Sequence, residues 1–467
     1  MEESASAEIR EEADDSIIKV NENSGSEWEA NSPTGNESQN GEVGREPNAS
    51  IENENQDRWL ANNITEMLER SEPPLSPECC ICRVPHVIRK FNKEAYTPRV
   101  ISIGPFHRGN KRLETMEMVK VRYCKKFVQK AALNMENLVS IIRGMEGDVR
   151  RCYGETSRLS SDNYVKMILL DASFIIVFFL IRCQHIEWVS DDNFTVFRVL
   201  LTSTVTDDML LLENQLPFFA IEKLYNCAFA SRSNYPSFTL LTFKYFAYYN
   251  TQKMSPNDPN LKIMHFVDLL RTFFLPPSQR GQAIKRDKPI KHLYTASQLH
   301  EAGVKFKVGS SECLFDFKFR NGALEIPCLQ LVNRTEFIFR ILLALEQCCY
   351  PYDAYVTDYV MVMDFLINTV KDVDLLVQKG IVVNWLGDHD AVTTLVNNLL
   401  TRTIYTNMNS DYCDLCKDLN TFYEDPRHSW KATLRRDYFS TPWRIASTVA
   451  AIILLVLTFI QTVRSFY

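Results

Sequence analysis

Apolar side chains recur at helical spacing along most of this chain. Trp59, Leu60, Ile64, Met67 and Leu68 predict a first helix, which Ser71, Pro73, Pro74 and Pro77 stop. From Lys111 to Val149 the pattern is long and helical, with Leu113, Met116, Val121, Phe127, Val128, Leu138 and Ile142 among its apolar positions. Further helices are predicted over 163–188, 208–228, 238–250, 260–274, 333–349, 353–378, 389–404 and 411–424. The clearest β pattern is Val304–Lys307, Cys313–Phe319 and Leu324–Ile326, with Asn321-Gly322 between alternating runs. Asn-Gly marks a hairpin because both turn residues must accept positive φ. Pro276–His292, with three prolines, Gly281 and five basic residues, reads as an exposed loop. No internal repeat and no clean interdomain linker stand out.

Two apolar runs compete as membrane spans. Met167–Cys183 contains Asp171, and a carboxylate near mid-bilayer costs roughly 2.5–3.5 kcal/mol. This run is expected to be a buried core helix. Ile445–Val463 has no charge, and at about 1.5 Å per residue its length approaches the roughly 30 Å hydrocarbon core. Lys431, Arg435, Arg436 and Arg444 precede it and Arg464 follows, with Trp443 at the near interface. The positive-inside rule then predicts a cytosolic N-terminal domain on a plasma-membrane or endomembrane surface, and insertion as a tail anchor. The expected fold is mainly α: a large helical domain over 57–440, a small β-hairpin element and a single C-terminal transmembrane helix at 445–463.

Charge divides the chain differently. Residues 1–58 hold 16 of the 58 acidic and 4 of the 52 basic side chains, so the remainder is basic by about six charges. That is too diffuse to imply nucleic-acid binding. Residues 1–56, rich in Glu, Asn and Ser, have too few apolar groups to offset the entropy of ordering and read as a disordered acidic leader. Met1 is followed by acidic residues with no apolar run, so no signal peptide is expected. The thirteen cysteines are odd in number and irregularly spaced, which fits reduced thiols in the cytosol.

The chemistry-bearing motifs are sparse. There is no phosphate-cradling G-x-x-x-x-G-K-[ST] and no G-x-S-x-G nucleophile elbow. His300-Glu301 opens a zinc-protease pattern, but Val304 stands where its second histidine belongs. Cys413-Asp-Leu-Cys416 has zinc-ligand spacing, with His428 following, yet on a helix both thiols share one face as core residues do. Asp171, Glu213 and His185 would form an acidic site if their helices met; as separate groups they are core polar residues or caps. Asp388-His389-Asp390 precedes an apolar period and reads as a helix cap. No cofactor is implied.

Several longer stretches carry a resemblance. Cys80-Ile-Cys-Arg-Val-Pro85, Ala95-Tyr-Thr-Pro-Arg-Val-Ile-Ser-Ile-Gly-Pro-Phe-His107, Asp208-Met-Leu-Leu-Leu-Glu-Asn-Gln-Leu-Pro-Phe-Phe219, Leu343–Tyr350, Asn384-Trp-Leu-Gly-Asp388 and Arg436-Asp-Tyr-Phe together resemble the plant family called domain of unknown function 247. The likeness runs from about Trp59 to the C-terminus. It implies a land-plant protein without an agreed reaction. Some members are tied genetically to self-incompatibility in grasses, which implies recognition or signalling at a membrane. The family pattern usually reads Asp-Gly-x-Phe with a Glu three residues on; here Asp171-Ala-Ser-Phe174 is followed by Ile175, Ile176 and Val177, so that acidic partner is missing. The expectation is a membrane-anchored protein acting through protein partners. The alternative is a hydrolase-like enzyme using Asp171, Glu213 and a histidine.

Overall fold

The computed structural model describes residues 49–69, 76–185, 188, 199–229, 232–259, 261–280, 285–288, 290–401, 403–404, 407–427 and 442–466. The chain divides into two units, Met1–Ser71 and Glu72–Tyr467. In the first, helix α1 spans Ala49–Glu69 and leaves Trp59, Leu60, Ile64 and Met67 exposed. Of the leader expected over 1–56, residues 1–48 lie outside the described residues, and 49–56 form the start of α1.

The second unit is mainly helical. Its centre is α5 (Ser161–Arg182), and α2 (Glu114–Lys130), α3 (Met135–Arg143) and α4 (Glu146–Arg151) precede it and pack on it. Helix α5 is apolar on every face, as a helix surrounded by others must be. Phe174, Phe178 and Phe179 are buried in it; Phe179 stacks on Tyr245 with ring centroids 4.1 Å apart. Each such burial contributes roughly 1.5–3 kcal/mol. In its apolar window 83% of residues are buried, so the core-helix expectation for Met167–Cys183 holds. The single helix expected over 111–149 is three. Asn134 takes the N–H of Asn137 and starts α3 afresh, and Gly144 ends it.

Further helices are α6 (Val199–Asp208), α7 (Phe218–Phe229), α8 (Phe238–Tyr245), α9 (Phe266–Phe274), α10 (Ala296–Glu301), α11 (Asn333–Cys349), α12 (Tyr355–Leu366), α13 (Val370–Gln378), α14 (His389–Leu399), α15 (Ser410–Glu424) and α16 (Pro442–Phe466). The span expected as one helix over 353–378 breaks at Thr369. There Asp372 Oδ2 accepts the Thr369 N–H and hydroxyl, each at 2.9 Å, and α13 begins. Asp388 caps α14 as expected, accepting the Asp390 N–H at 3.1 Å.

The β structure is small. Strands β3 (Lys318–Arg320) and β4 (Ala323–Ile326) form the expected hairpin, with φ of 52° at Asn321 and 71° at Gly322. Strand β2 (Lys305–Val308) joins β4 in parallel, giving the order β2-β4-β3. Cys313–Phe317, expected as strand, is not. Two further pairs close long loops: β5 (Leu329–Leu331) with β6 (Val382–Asn384), and β1 (Arg286–Asp287) with β7 (Met408–Asn409). Part of the loop expected at Pro276–His292 is therefore tied down by β1.

Helix α16 differs from α5. None of its apolar window is buried, and Ile452, Ile453, Leu454, Leu455 and Phe459 face outward. It is long and apolar enough to cross a membrane. Lys431, Arg435, Arg436 and His428 lie outside the described residues.

Candidate functional site

The helix expected over 208–228 exists only in its second half, as α7, while Asp208 ends α6. Residues 209–217 between α6 and α7 form a buried, irregular loop, and its polar side chains do the work that backbone hydrogen bonds do elsewhere. A buried backbone must find partners for its N–H and C=O groups. Within the segment Arg99–His107, residues 101–104 are buried with no strand beside them among the described residues, and side chains supply those partners. Asp208 accepts the N–H of Arg99 (2.9 Å), Val100 (2.7 Å) and Ile101 (2.9 Å). Asn214 accepts from Ile103 N at 2.7 Å and donates to Ile101 O at 3.0 Å. Asp171, from α5, accepts from Gly104 N at 2.8 Å, and the Lys120 ammonium donates to Ser102 O. The loop holds its own shape through Gln215, whose amide donates to Met209 O (2.6 Å) and Leu211 O (2.8 Å) and accepts from Phe266 N (3.1 Å).

Asp171 and Lys120 are both buried and pair at 2.7 Å. Burial pushes the Asp171 carboxyl up; Lys120 opposes it without cancelling it. Asp208 is also raised by burial, against the pull of the three N–H groups.

Glu213 faces elsewhere. Its carboxylate accepts Val84 N at 2.7 Å, meets the Arg89 guanidinium, and lies 3.6 Å from Arg83 Nη1 and 3.3 Å from His107 Nε2. Burial opposes its charge, but His107, the Val84 N–H and Arg89 outweigh burial and hold it below the ordinary glutamate range. Glu213 is buried, and Arg83 at its rim is 44% exposed, with its guanidinium 4.6 Å over the Phe106 ring. This arrangement neutralises a carboxylate with cations.

The three residues named for a hydrolase are therefore not brought together. Asp171 and Glu213 share none of the partners just given. His185 lies past the end of α5, whose last residue, Arg182, is about three turns beyond Asp171; its Nε2 is 3.2 Å from Asn234 O and its ring lies against Tyr235. It lines an open cleft of about 640 Å³ with Cys183, Ser233 and Lys244. The histidine that meets Glu213 is His107. Cys413 and Cys416 are buried on one face of α15, where Cys413 Sγ donates to Lys288 O at 3.6 Å. Burial raises Cys416 to about 12. His428 lies outside the described residues. Among the described residues no group of three His, Cys, Asp or Glu side chains is placed to hold a metal ion.

Sequence reasoning missed Lys120, His107 and the buried pair Arg271–Glu346. Glu346 on α11 accepts Val356 N (3.0 Å) and Thr357 N (2.8 Å) at the start of α12, while Arg271 of α9 reaches it at 3.0 Å. Lys120 carried one readable signal: it lies on the same face of α2 as the apolar Met116, Val119 and Tyr123.

These clasps define a class: a helical domain whose buried acid and amide side chains tie distant loops to the core. The chain belongs to the DUF247 family of plant proteins of unknown function, whose model matches residues 81–457. It is 27% identical to UPF0481 protein At3g47200 of Arabidopsis thaliana over 431 residues, covering 86% of this chain and 90% of that one. It is also 21% identical to putative UPF0481 protein At3g02645 of the same plant, over 82% of this chain and 89% of that one. No solved structure matches it.

Proposed function

We propose that this chain is a single-pass membrane protein whose large helical domain lies in the cytosol and works in recognition or signalling by binding other proteins. The observation that carries the reading is α16, an apolar helix with no buried residue in its apolar window. A helix of that kind in water would expose a continuous apolar surface; in lipid it needs no partner. Its hydroxyls fit the same reading. Thr458 and Thr462 donate to the carbonyls of Leu454 and Thr458, each at 2.8 Å, so neither leaves an unsatisfied group in hydrocarbon. The basic residues Lys431, Arg435, Arg436 and Arg444 before the apolar run Ile445–Val463 favour the cytosol for the domain.

A binding role fits a domain whose buried carboxylates are engaged in holding backbone. The hydrolase reading is the weaker one, since His185 meets Asn234 and Tyr235, and the histidine against Glu213, His107, faces it among arginines. Deleting Ile445–Tyr467 tests the anchor. The truncated protein is expected in the soluble fraction after carbonate extraction of plant membranes, with the full chain in the pellet. A truncated chain that still pellets would overturn the proposal.

A further inference from the structure

Three cysteines from two distant segments form a row. Cys79 Sγ lies 3.7 Å from Cys82 Sγ, and Cys349 Sγ lies 3.9 Å from Cys82 Sγ on its other contact. Cys79 and Cys82 sit on the segment that enters the second unit; Cys349 ends α11. The row is built in. Cys80 N and Ile81 N both donate to Cys152 O, at 3.0 and 2.9 Å, and Gly154 N donates to Ile81 O at 3.0 Å, which fixes the turn carrying the first two thiols. Gly154 makes room for them: a Cβ there would stand 3.3 Å from Cys82 Sγ and 3.6 Å from Cys79 Sγ. Cys349 is held over the turn, its thiol also donating to Cys80 O at 3.4 Å. All three are half-buried rather than sealed. A metal needs its ligands around one point, and among the described residues no three such groups are placed to hold one. A row with a shared middle member suits disulfide formation and exchange, where each step joins two neighbours.

We propose that Cys79, Cys82 and Cys349 form an oxidisable thiol relay, with Cys82 as the common partner, that takes a peroxide oxidant. The Cys82 thiolate attacks one peroxide oxygen; the O–O bond breaks and hydroxide leaves, giving a sulfenic acid. The Cys79 thiol then attacks the Cys82 sulfur, the S–O bond breaks, and water departs with the Cys79 proton. In sum, two thiols give up two hydrogens and hydrogen peroxide becomes two waters. Exchange needs no further oxidant. The Cys349 thiolate attacks Cys82 sulfur, the first disulfide breaks, and Cys79 leaves and regains a proton. The second linkage fastens the residue next to Arg83 to the end of α11. It thereby ties the Glu213 contacts of Arg83 and Val84 to that helix. The hydrogen bond with Cys349 and burial push the attacking Cys82 thiol up, so at neutral pH its thiolate is scarce and oxidation slow.

The test uses the full chain in detergent. After reduction and removal of reductant it is exposed to hydrogen peroxide, its remaining thiols are alkylated, and disulfides are located by peptide mass spectrometry. Two linkages are expected, Cys79–Cys82 and Cys82–Cys349, forming about tenfold faster for each pH unit between 7 and 9. Cys349→Ser should retain only the first and Cys79→Ser only the second. Cys82→Ser should reduce disulfide at these positions at least tenfold while its reduced form melts with the wild type. Three unmodified thiols after oxidation, or oxidation confined to Cys80 and Cys152, would overturn the relay. So would a stoichiometric zinc ion that shields these thiols from alkylation.

Discussion

Gly104 lies so close to Gln215 that a Cβ added to it would stand 2.5 Å from the Gln215 carbonyl oxygen. Gly104 also has a φ of +73°, where an L side chain is strained, and its N–H is held by Asp171 at 2.8 Å. One position thus joins the Arg99–His107 segment, the 209–217 loop and the core helix. Gly104→Ala should cost about 1–2 kcal/mol from the left-handed backbone alone, and more from the clash. Chemical denaturation of the full chain in detergent measures this. A loss under about 0.5 kcal/mol would show that the three segments are not locked at Gly104.

Asp208 offers a second test of the clasp. Its carboxylate serves three N–H groups, and a buried donor left without a partner costs about 1–3 kcal/mol. Asp208→Ala should destabilise by at least about 3 kcal/mol in the same denaturation experiment. Asp208→Asn keeps one carbonyl oxygen as acceptor and should cost clearly less. Equal losses for the two variants would mean that the oxygens do not hold this segment.

Glu213 makes stability depend on pH in a defined direction. Its folded pKa is held below the unfolded value, so the unfolded chain takes up a proton first as pH falls. The stability it contributes is complete above the unfolded glutamate pKa and is lost as pH falls through the folded one. Glu213→Gln should therefore cost most near pH 7, by about 3–5 kcal/mol because it leaves the Arg89 guanidinium without its counter-charge. The gap between wild type and variant should shrink as pH falls below about 4.5. Melting curves from pH 3 to 7 read this directly, and a gap constant with pH would refute it.

Local physics made part of this molecule legible. Asn321-Gly322 needs positive φ twice, and Asp388 stands next to the N–H groups it caps, so both were readable from neighbours in sequence. Asp171 in an apolar run marked α5 as a core helix, because lipid would leave that charge unpaired. The loop at 209–217 was not legible. Its leucines and the apolar period of α7 continue a helical pattern, and what unwinds it is the partnership of Asp208, Asn214 and Gln215 with backbone elsewhere in the chain. The same distance hid His107. Nothing in its local sequence points to Glu213, whereas His185 follows the apolar run that holds Asp171.

The membrane topology is tested most directly by protease added to sealed microsomes that carry the full chain with a short tag after Tyr467. The apolar run Ile445–Val463 within α16 has basic residues concentrated before it and Arg464 after it, which favours the cytosol for the large domain. The account predicts that the protease destroys the large domain and that the tag survives on a small fragment until detergent opens the vesicles. A large domain that survives intact inside sealed vesicles, or a tag digested together with it, would contradict the account.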